Sequence, residues 1–288
     1  EGLRVRAPGH LSKALRLAGE VKLALGAHAS AADDLAAALQ LESPVKYPVV
    51  AFVYAGSRVG QADVLWSMSE RELQKGNHGQ AARLLEDCLR MYEEEGSTMG
   101  AGVAKHLSGQ IKVMSGDLVG AFKDLNDAVH TYRNWNALAR LADALVKRAE
   151  AALASTSLSR AREDLKEARM LCVLRHDVAG EAMTWKLEGE ILVATGELEP
   201  ATELLTFARE KAKDVNQTYL MAEATRILGE IASVRVVLGE HQPRYKVAVS
   251  LLKESLALYE REGHHLGVAN ARRALGQVLR KDQALAPL

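Results

Sequence analysis

One spacing of small residues and a leucine recurs along the chain and constrains its fold more than any other feature. The small residue Gly189 is followed by Gly196, Ala201, Leu205 and Ala208, at steps of seven, five, four and three residues. Five copies keep these steps, and they begin at Gly19, Ser69, Gly109, Ala149 and Gly189. We call these first positions start residues, and we use the same term for Gly229 and Gly276, which take this position in the two units that follow. The step between the later copies is 40 residues, which predicts a stack of similar structural repeats.

Each copy has the pattern of one helical hairpin. In residues 183–212, Trp185 and Ile191 belong to a first apolar series with helical spacing, Gly196 interrupts it, and Pro200 opens a second series. Because antiparallel helices approach closely only where side chains are small, we expect the small positions at helix contacts. The leucines should form one buried row, made of Leu35, Leu85, Leu125, Leu165, Leu205 and Leu252.

The pattern resembles the tetratricopeptide repeat family in Leu228-Gly229, Gly196, Ala201, Leu205 and Ala208, over residues 12–280. The resemblance implies an all-α fold, an α-α superhelix that forms a right-handed solenoid of about 6.5 helical hairpins. The units exceed the usual length of about 34 residues. In that respect they are similar to kinesin light chains and to the sensor arms of bacterial multidomain signalling ATPases and transcription activators.

The pattern predicts one repeat domain over residues 12–280, preceded by a tail or linker at 1–11 and followed by a tail at 281–288. The start at Glu1 without a methionine is the expected appearance of a piece of a larger protein.

Two insertions interrupt the period. Residues 41–57 contain Pro44 and Pro48, which forbid a continuous helix there. The segment that follows them is either a lengthened first helix, which we favour, or a short extended piece lying on the groove. Seven further residues fall between Gly229 and Ala248, and we predict a projecting turn around Gly239–Tyr245.

Composition narrows the class of function. Lys plus Arg and Asp plus Glu both number 37, and this zero net charge argues against nucleic-acid and membrane partners. The longest apolar run, residues 49–55, is too short to span a bilayer. Cys88 and Cys172 fall on second helices two units apart, which favours core thiols in a reducing, cytoplasmic compartment.

No motif in the sequence indicates catalysis. The glycine-rich stretches at 56–60 and 96–102 lack the Gly-Lys-Ser/Thr ending of a phosphate loop. The adjacent pair His264 and His265 cannot share a helix face, so its spacing does not suit a metal. We therefore expect no enzyme, no cofactor and no metal site.

The residues around each start residue form the candidate partner surface, because in the resembled family this face of the first helix lines the inner groove. Positions three before and one after the start residue carry mostly charged or polar side chains. The candidates are Arg16, Glu20, Trp66, Glu70, His106, Gln110, Lys186, Glu190, Arg226, Glu230 and Arg273. They are either ordinary solvated helix faces, with pairs such as Lys186 and Glu190 adding a little stability, or ribs of a groove that holds a partner.

The resulting functional expectation is a protein-protein interaction module that binds a protein or peptide in its groove. Family members that capture acidic chaperone tails use an asparagine where this chain has Glu or Gln, so the resemblance excludes that partner. The alternative is a regulatory sensor arm of a larger signalling protein or transcription regulator, which binds a small molecule or peptide. Trp66 is expected either to anchor the partner or to pack under residues 44–54.

Overall fold

The computed structural model describes residues 58–237 and 241–285. Within these ranges the chain is all-α, and none of the described residues forms a strand. The helices are α1 (Arg58–Gln74), α2 (His78–Glu94), α3 (Thr98–Ser115), α4 (Leu118–Asn134), α5 (Leu138–Ala154), α6 (Leu158–Leu174), α7 (Val178–Thr195), α8 (Leu198–Asp214), α9 (Thr218–Val237), α10 (His241–Arg261) and α11 (His265–Leu285).

The helices pack as repeated hairpins. Helix α1 packs on α2, α3 on α4, α7 on α8 and α9 on α10, and α11 then packs on α10. This confirms the predicted all-α solenoid of helical hairpins. The predicted hairpin before α1 and the 41–57 insertion lie outside the described residues.

The contacts divide the chain into two compact units, Glu1–Ala151 and Ala152–Leu288, where the repeat pattern predicted one continuous domain. We call them unit 1 and unit 2 and describe each by itself. Helices α1 to α4 and most of α5 belong to unit 1, and α6 to α11 belong to unit 2.

The predicted leucine row is buried. Leu85, Leu125, Leu165, Leu205 and Leu252 are each at most 3% exposed. The start residues explain how these leucines fit. A Cβ added to Gly109 would lie 2.5 Å from Cγ of Leu125, and one added to Gly189 would lie 2.7 Å from Cγ of Leu205. The alanines at the third position of the pattern, such as Ala121 and Ala201, are fully buried. The helices therefore approach closely at these positions, as predicted.

The small residues seven positions after the start residues are needed for a reason that differs from our prediction. Gly116 and Gly196 both have φ of +84°, and Thr156, at the same repeat position, has φ of +60°. No described atom comes within 4 Å of a Cβ added at Gly116 or Gly196. These residues end the first helix in the left-handed conformation that glycine adopts most easily. The prediction that they permit a close helix contact was wrong.

A second set of pairs joins successive hairpins and was not visible in the start-residue pattern. An added Cβ at Gly100 would overlap the ring of Tyr92, and one at Gly267 would overlap the ring of Tyr259. Where the earlier residue is the small Ala212, the residue eight positions later is the large Leu220, and both are buried in one cluster. At these three junctions a large residue lies beside a small one.

The insertion near residue 240 lengthens helices. Helices α9 and α10 have 20 and 21 residues, whereas α8 has 17. Residues 241–245 of the predicted turn are therefore helical, and that part of the prediction was wrong; residues 238–240 lie outside the described ranges. Pro243 is tolerated as the third residue of α10, because N–H groups in the first turn of a helix have no intrahelical acceptor and proline therefore loses no hydrogen bond there. Similarly, α11 continues to Leu285, five residues into the predicted tail.

Two further observations concern the described residues as a whole. Cys88 and Cys172 are buried, as expected for core cysteines. Burial, with a smaller contribution from the charge of Asp63, raises the pKa of Cys88 to about 12. No helix within the described ranges is both long enough and apolar enough to cross a membrane.

Candidate functional site

The first helices of consecutive hairpins contact each other directly. Helix α1 contacts α3 in unit 1, and in unit 2 α7 contacts α9 and α9 contacts α11. Each unit therefore has a surface built from first helices. We call these surfaces the inner face of unit 1 (α1, α3 and residues 138–151 of α5) and the inner face of unit 2 (α7, α9 and α11).

A cavity of about 420 Å³ opens on the inner face of unit 1. Three first helices contribute to its wall, together with the tyrosine that ends the second helix α2. The lining residues are Val59, Asp63 and Trp66 from α1, Tyr92 from α2, Ser97, Met99, Gly100 and Val103 from the start of α3, and Arg140 from α5.

Trp66 is partly buried in the wall of this cavity. Its indole Nε1 is buried, and no hydrogen-bond partner for it exists among the described residues. Next to it, Asp63 accepts a hydrogen bond of 2.5 Å from the hydroxyl of Tyr92. The structure thus places Trp66 in a cavity, as an anchor requires, while residues 44–54 of the competing prediction lie outside the described ranges.

His106 and Gln110 lie one repeat further along unit 1. The Gln110 amide donates to Nε2 of His106 at 3.2 Å, and the His106 ring packs edge-on against Tyr132, with centroids 5.9 Å apart. Burial, and then the positive charges of Lys147 and Arg140, lower the pKa of His106 to about 4. His106 is therefore neutral near pH 7 and is held partly inside the fold.

The inner face of unit 2 carries a buried ion network instead. Lys186, on α7, is only 5% exposed. Its Nζ donates to Oε1 of Glu190 at 3.2 Å and to Oε2 of Glu223, on α9, at 3.0 Å. Lys186 is therefore not part of an ordinary solvated helix face, which was one of our two interpretations, because the side chain of a surface lysine would extend into water.

Arg226 continues the network along α9. Its Nη1 donates to Oε1 of Glu230 at 2.7 Å, and the hydroxyl of Tyr259 donates to Oε1 of Glu223 at 3.2 Å. The Nε of Arg226 is buried and has no partner among the described residues. Two cations and three carboxylates are thus held together by first-helix side chains.

Burial affects the carboxylates of this network unequally. It raises the pKa of Glu190, because Lys186 compensates only part of the lost hydration. Burial also raises the pKa of Glu223, but the combined charges and hydrogen bonds of Lys186 and Arg226 outweigh it and lower that pKa below its usual range. The network therefore stabilises the ionised form of Glu223 more than that of Glu190.

The accessible atoms of the network are mainly acidic. The side chain of Glu230 is 42% exposed and that of Glu190 is 23% exposed, whereas the side chain of Lys186 is 6% exposed. Lys186 and Arg226 are used within the network, so the network presents hydrogen-bond acceptors with one excess negative charge. Its natural complement is a group that donates hydrogen bonds or carries positive charge.

The remaining candidates are placed as follows. Glu70 lies on α1 and is half-buried, and Arg273 lies on α11 and is exposed. Arg16 and Glu20 fall outside the described residues. Sequence reasoning missed Glu223 and Asp63, which lie six positions before Gly229 and Ser69. Reading that repeat position as a column would have found them.

The residues that the structure describes contain no group of three or more His, Cys, Asp or Glu side chains arranged to hold a metal ion.

No protein family matches the chain by its sequence pattern, and no curated protein matches it in sequence. Solved structures do match. A Rap protein complexed with competence and sporulation factor is 13% identical, with a TM-score of 0.65 over 96% of this chain and 77% of that one. The Rap conjugation gene regulator of plasmid pLS20, in complex with the Phr* peptide, is 15% identical, with a TM-score of 0.62 over 100% and 81%.

A third similar structure is a signal transduction ATPase with numerous domains and a tetratricopeptide repeat sensor, from Pyrococcus horikoshii. It is 12% identical, with a TM-score of 0.63 over 95% of this chain and 42% of the ATPase chain. At these identities the similarities show the fold, which is a helical repeat of the tetratricopeptide type.

Proposed function

We propose that this chain is a non-catalytic module that binds a peptide at the inner face of unit 2. The observation that carries the proposal is the ion network of unit 2. Lys186 and Arg226 fix three carboxylates on two neighbouring first helices, and the oxygens of Glu190 and Glu230 remain accessible. Such a fixed set of acceptors recognises a donor-bearing partner without reorganising on binding.

The similar structures support a peptide as the partner. Two of them are Rap proteins in complexes, one with competence and sporulation factor and one with the Phr* peptide. An extended peptide suits a repeat surface, because its unpaired main-chain groups meet side chains at regular intervals. The one excess negative charge of the ion network favours a basic or neutral peptide over an acidic tail.

The absence of a nucleic-acid, membrane or cofactor partner remains part of the proposal. It is supported by the zero net charge of the sequence and by the use of Lys186 and Arg226 within the fold. The two buried cysteines support a reducing, cytoplasmic location.

Binding of random hexapeptides, acetylated at one end and amidated at the other, tests the proposal. Peptides retained by the immobilised chain are identified by mass spectrometry, and their affinities are measured by calorimetry. The double variant Glu190→Gln, Glu230→Gln keeps the side-chain shapes but removes two charges, so we expect about tenfold weaker binding. The matched control is Glu210→Gln, an exposed residue of α8. Equal affinity for the double variant and the wild type would contradict binding at this face.

A regulatory sensor arm is the second candidate, favoured by the similarity to the ATPase with a tetratricopeptide repeat sensor. The chain spans less than half of that protein, so an effector domain next to it in the full-length gene is the discriminating observation. A gene that encodes this chain beside an ATPase, kinase or DNA-binding segment supports the sensor arm. A gene that encodes the repeats alone supports a free-standing module.

A further inference from the structure

We propose that the cavity on the inner face of unit 1 is an anchor pocket for one large apolar side chain of a bound peptide. Binding turns the Trp66 ring, whose indole Nε1 is buried in the structure, so that this N–H donates to the main-chain carbonyl of that peptide residue. This inference rests on the proposed function of peptide binding and adds a recognition site within unit 1.

The size and wall of the cavity suit such a side chain. Its volume of about 420 Å³ is within the range of small-ligand pockets and exceeds that of a single leucine or phenylalanine side chain. Val59, Met99 and Val103 supply an aliphatic wall, and the rings of Trp66 and Tyr92 supply flat surfaces. Burying an apolar side chain against these atoms removes hydrocarbon surface from water on both partners.

Trp66 supplies the polar contact. An indole N–H that is buried without an acceptor loses its hydrogen bond to water and gains nothing in return. Nε1 of Trp66 is in this state among the described residues. A tryptophan in a binding pocket commonly combines apolar contact with one hydrogen bond from this atom. The carbonyl groups of an extended peptide are unpaired acceptors and can complete the bond.

The charges in the wall argue for an uncharged occupant. Among the described lining residues, Asp63 and Arg140 are the charged ones, and their charges cancel. Asp63 also accepts the hydroxyl of Tyr92 at 2.5 Å. A charged side chain entering this cavity would lose hydration without meeting an excess of opposite charge. A leucine, methionine or phenylalanine side chain has no such cost.

Hexapeptide mixtures with one fixed central residue test the pocket. The ends are acetylated and amidated, the flanking positions are random, and the centre is Leu, Met, Phe, Lys, Glu or Ala. We expect the wild-type chain to retain the Leu, Met and Phe mixtures about tenfold to a hundredfold better than the Ala mixture. The Lys and Glu mixtures should gain no such advantage.

Two variants from different helices locate the effect. Trp66→Phe removes the N–H and keeps a ring, so retention of the favoured mixtures should fall about threefold to tenfold. Val103→Phe places a ring in the cavity wall and narrows the space for the peptide side chain, so it should abolish the preference for mixtures with a large central residue. Val119→Phe, the same change at a residue that is 85% exposed on α4, is the matched control and should leave the preference intact. Circular dichroism of each variant establishes that it is folded.

The outcomes separate this inference from the proposed function. Preference for large apolar centres that disappears in Val103→Phe and survives in Val119→Phe supports the pocket. Retention that does not depend on the central residue, but falls in the Glu190→Gln, Glu230→Gln variant, overturns the pocket and leaves peptide binding standing. If the wild-type chain retains none of the mixtures, the proposed function and the pocket both fail.

Discussion

The two inner faces carry different chemistry at identical repeat positions. Three residues before the start residue, unit 1 has Trp66 and His106, which are aromatic and uncharged near pH 7. Unit 2 has Lys186 and Arg226, which hold a buried network of carboxylates. The hairpins around these residues pack in the same way. The repeat pattern therefore determines where a side chain lies, and the individual residue determines whether that place is an apolar pocket or an ionic surface.

Removal of Lys186 is the largest expected perturbation of this contrast. In Lys186→Met, Glu190 and Glu223 lose the cation between them while remaining largely buried, so we expect the free energy of unfolding to fall by about 3 kcal/mol. Urea unfolding measures the loss. At the equivalent position of unit 1, His106→Met removes hydrogen bonds between neutral groups and should cost about 1 kcal/mol.

Lys123→Met, an exposed lysine on α4, is the control for Lys186→Met and should change stability by less than about 0.5 kcal/mol. If Lys186→Met and Lys123→Met unfolded at the same urea concentration, the ion network would contribute no stability. The contrast between the two faces would then be one of surface charge only.

Substitutions of the alanines at the third position of the pattern should lower stability by similar amounts in both units. Ala121 in unit 1 and Ala201 in unit 2 are fully buried at hairpin contacts. Replacing either with leucine overpacks the contact, and we expect a loss of about 1 to 3 kcal/mol in each case. Lys123→Leu is the exposed control. Thermal unfolding that distinguished neither alanine variant from this control would show that the repeat positions had been assigned wrongly.

Acid should destabilise unit 1 through His106. Its pKa is about 4 in the folded chain, against 6.5 for an ordinary histidine. Between these values the unfolded chain binds a proton that the folded chain does not, so this contribution is complete above about pH 6.5 and is lost as the pH falls. From pH 7.5 to 5 the loss should be about 2 kcal/mol.

The variant His106→Gln removes this titration while retaining hydrogen-bonding groups. Urea unfolding at pH 7.5 and pH 5 should show a smaller fall in stability for the variant than for the wild type. Parallel falls would mean that His106 is accessible enough to be protonated in the folded chain.

The smallest expected effects arise at the ends of the first helices and should again be equal in the two units. Gly116→Ala and Gly196→Ala force alanine into the left-handed region, at a cost of about 1 kcal/mol each. Thermal midpoints measure this. Gly79→Ala is the opposite control, because Gly79 is helical with open space at its Cβ, and the change should stabilise by about 0.5 kcal/mol.

The repeat architecture was predictable because it is a property of spacing. The leucine row and the alanines at the third position of the pattern follow from side-chain size alone, and the buried Leu125 and Ala121 are where the spacing placed them. The role of Gly116 was misassigned because a small residue and a left-handed residue look the same in a sequence: both are glycine. Thr156 at the same position was the signal that a residue as small as glycine is not required there.

The candidate site was less predictable because its properties depend on burial. Lys186 and Glu190 read as an ordinary pair on a helix surface, and only the structure shows Glu223 on the other side of Lys186. Similarly, the sequence shows that Trp66 lies three residues before the start residue Ser69, but the cavity beside it forms only because residues from α1, α3 and α5 meet. Contacts between repeats are not encoded in the spacing within one repeat.

The large and small pairs at the hairpin junctions have a consequence for how this chain can evolve. Tyr92 requires Gly100, and Ala212 requires a residue as large as Leu220. If the hairpin that ends at Tyr92 were followed by one that presents a leucine, the two side chains would collide; the reverse exchange would leave a hole. At these junctions, a hairpin that is duplicated or moved keeps its packing only when both members of the pair change together, so the fit of neighbours restricts which hairpins can follow each other.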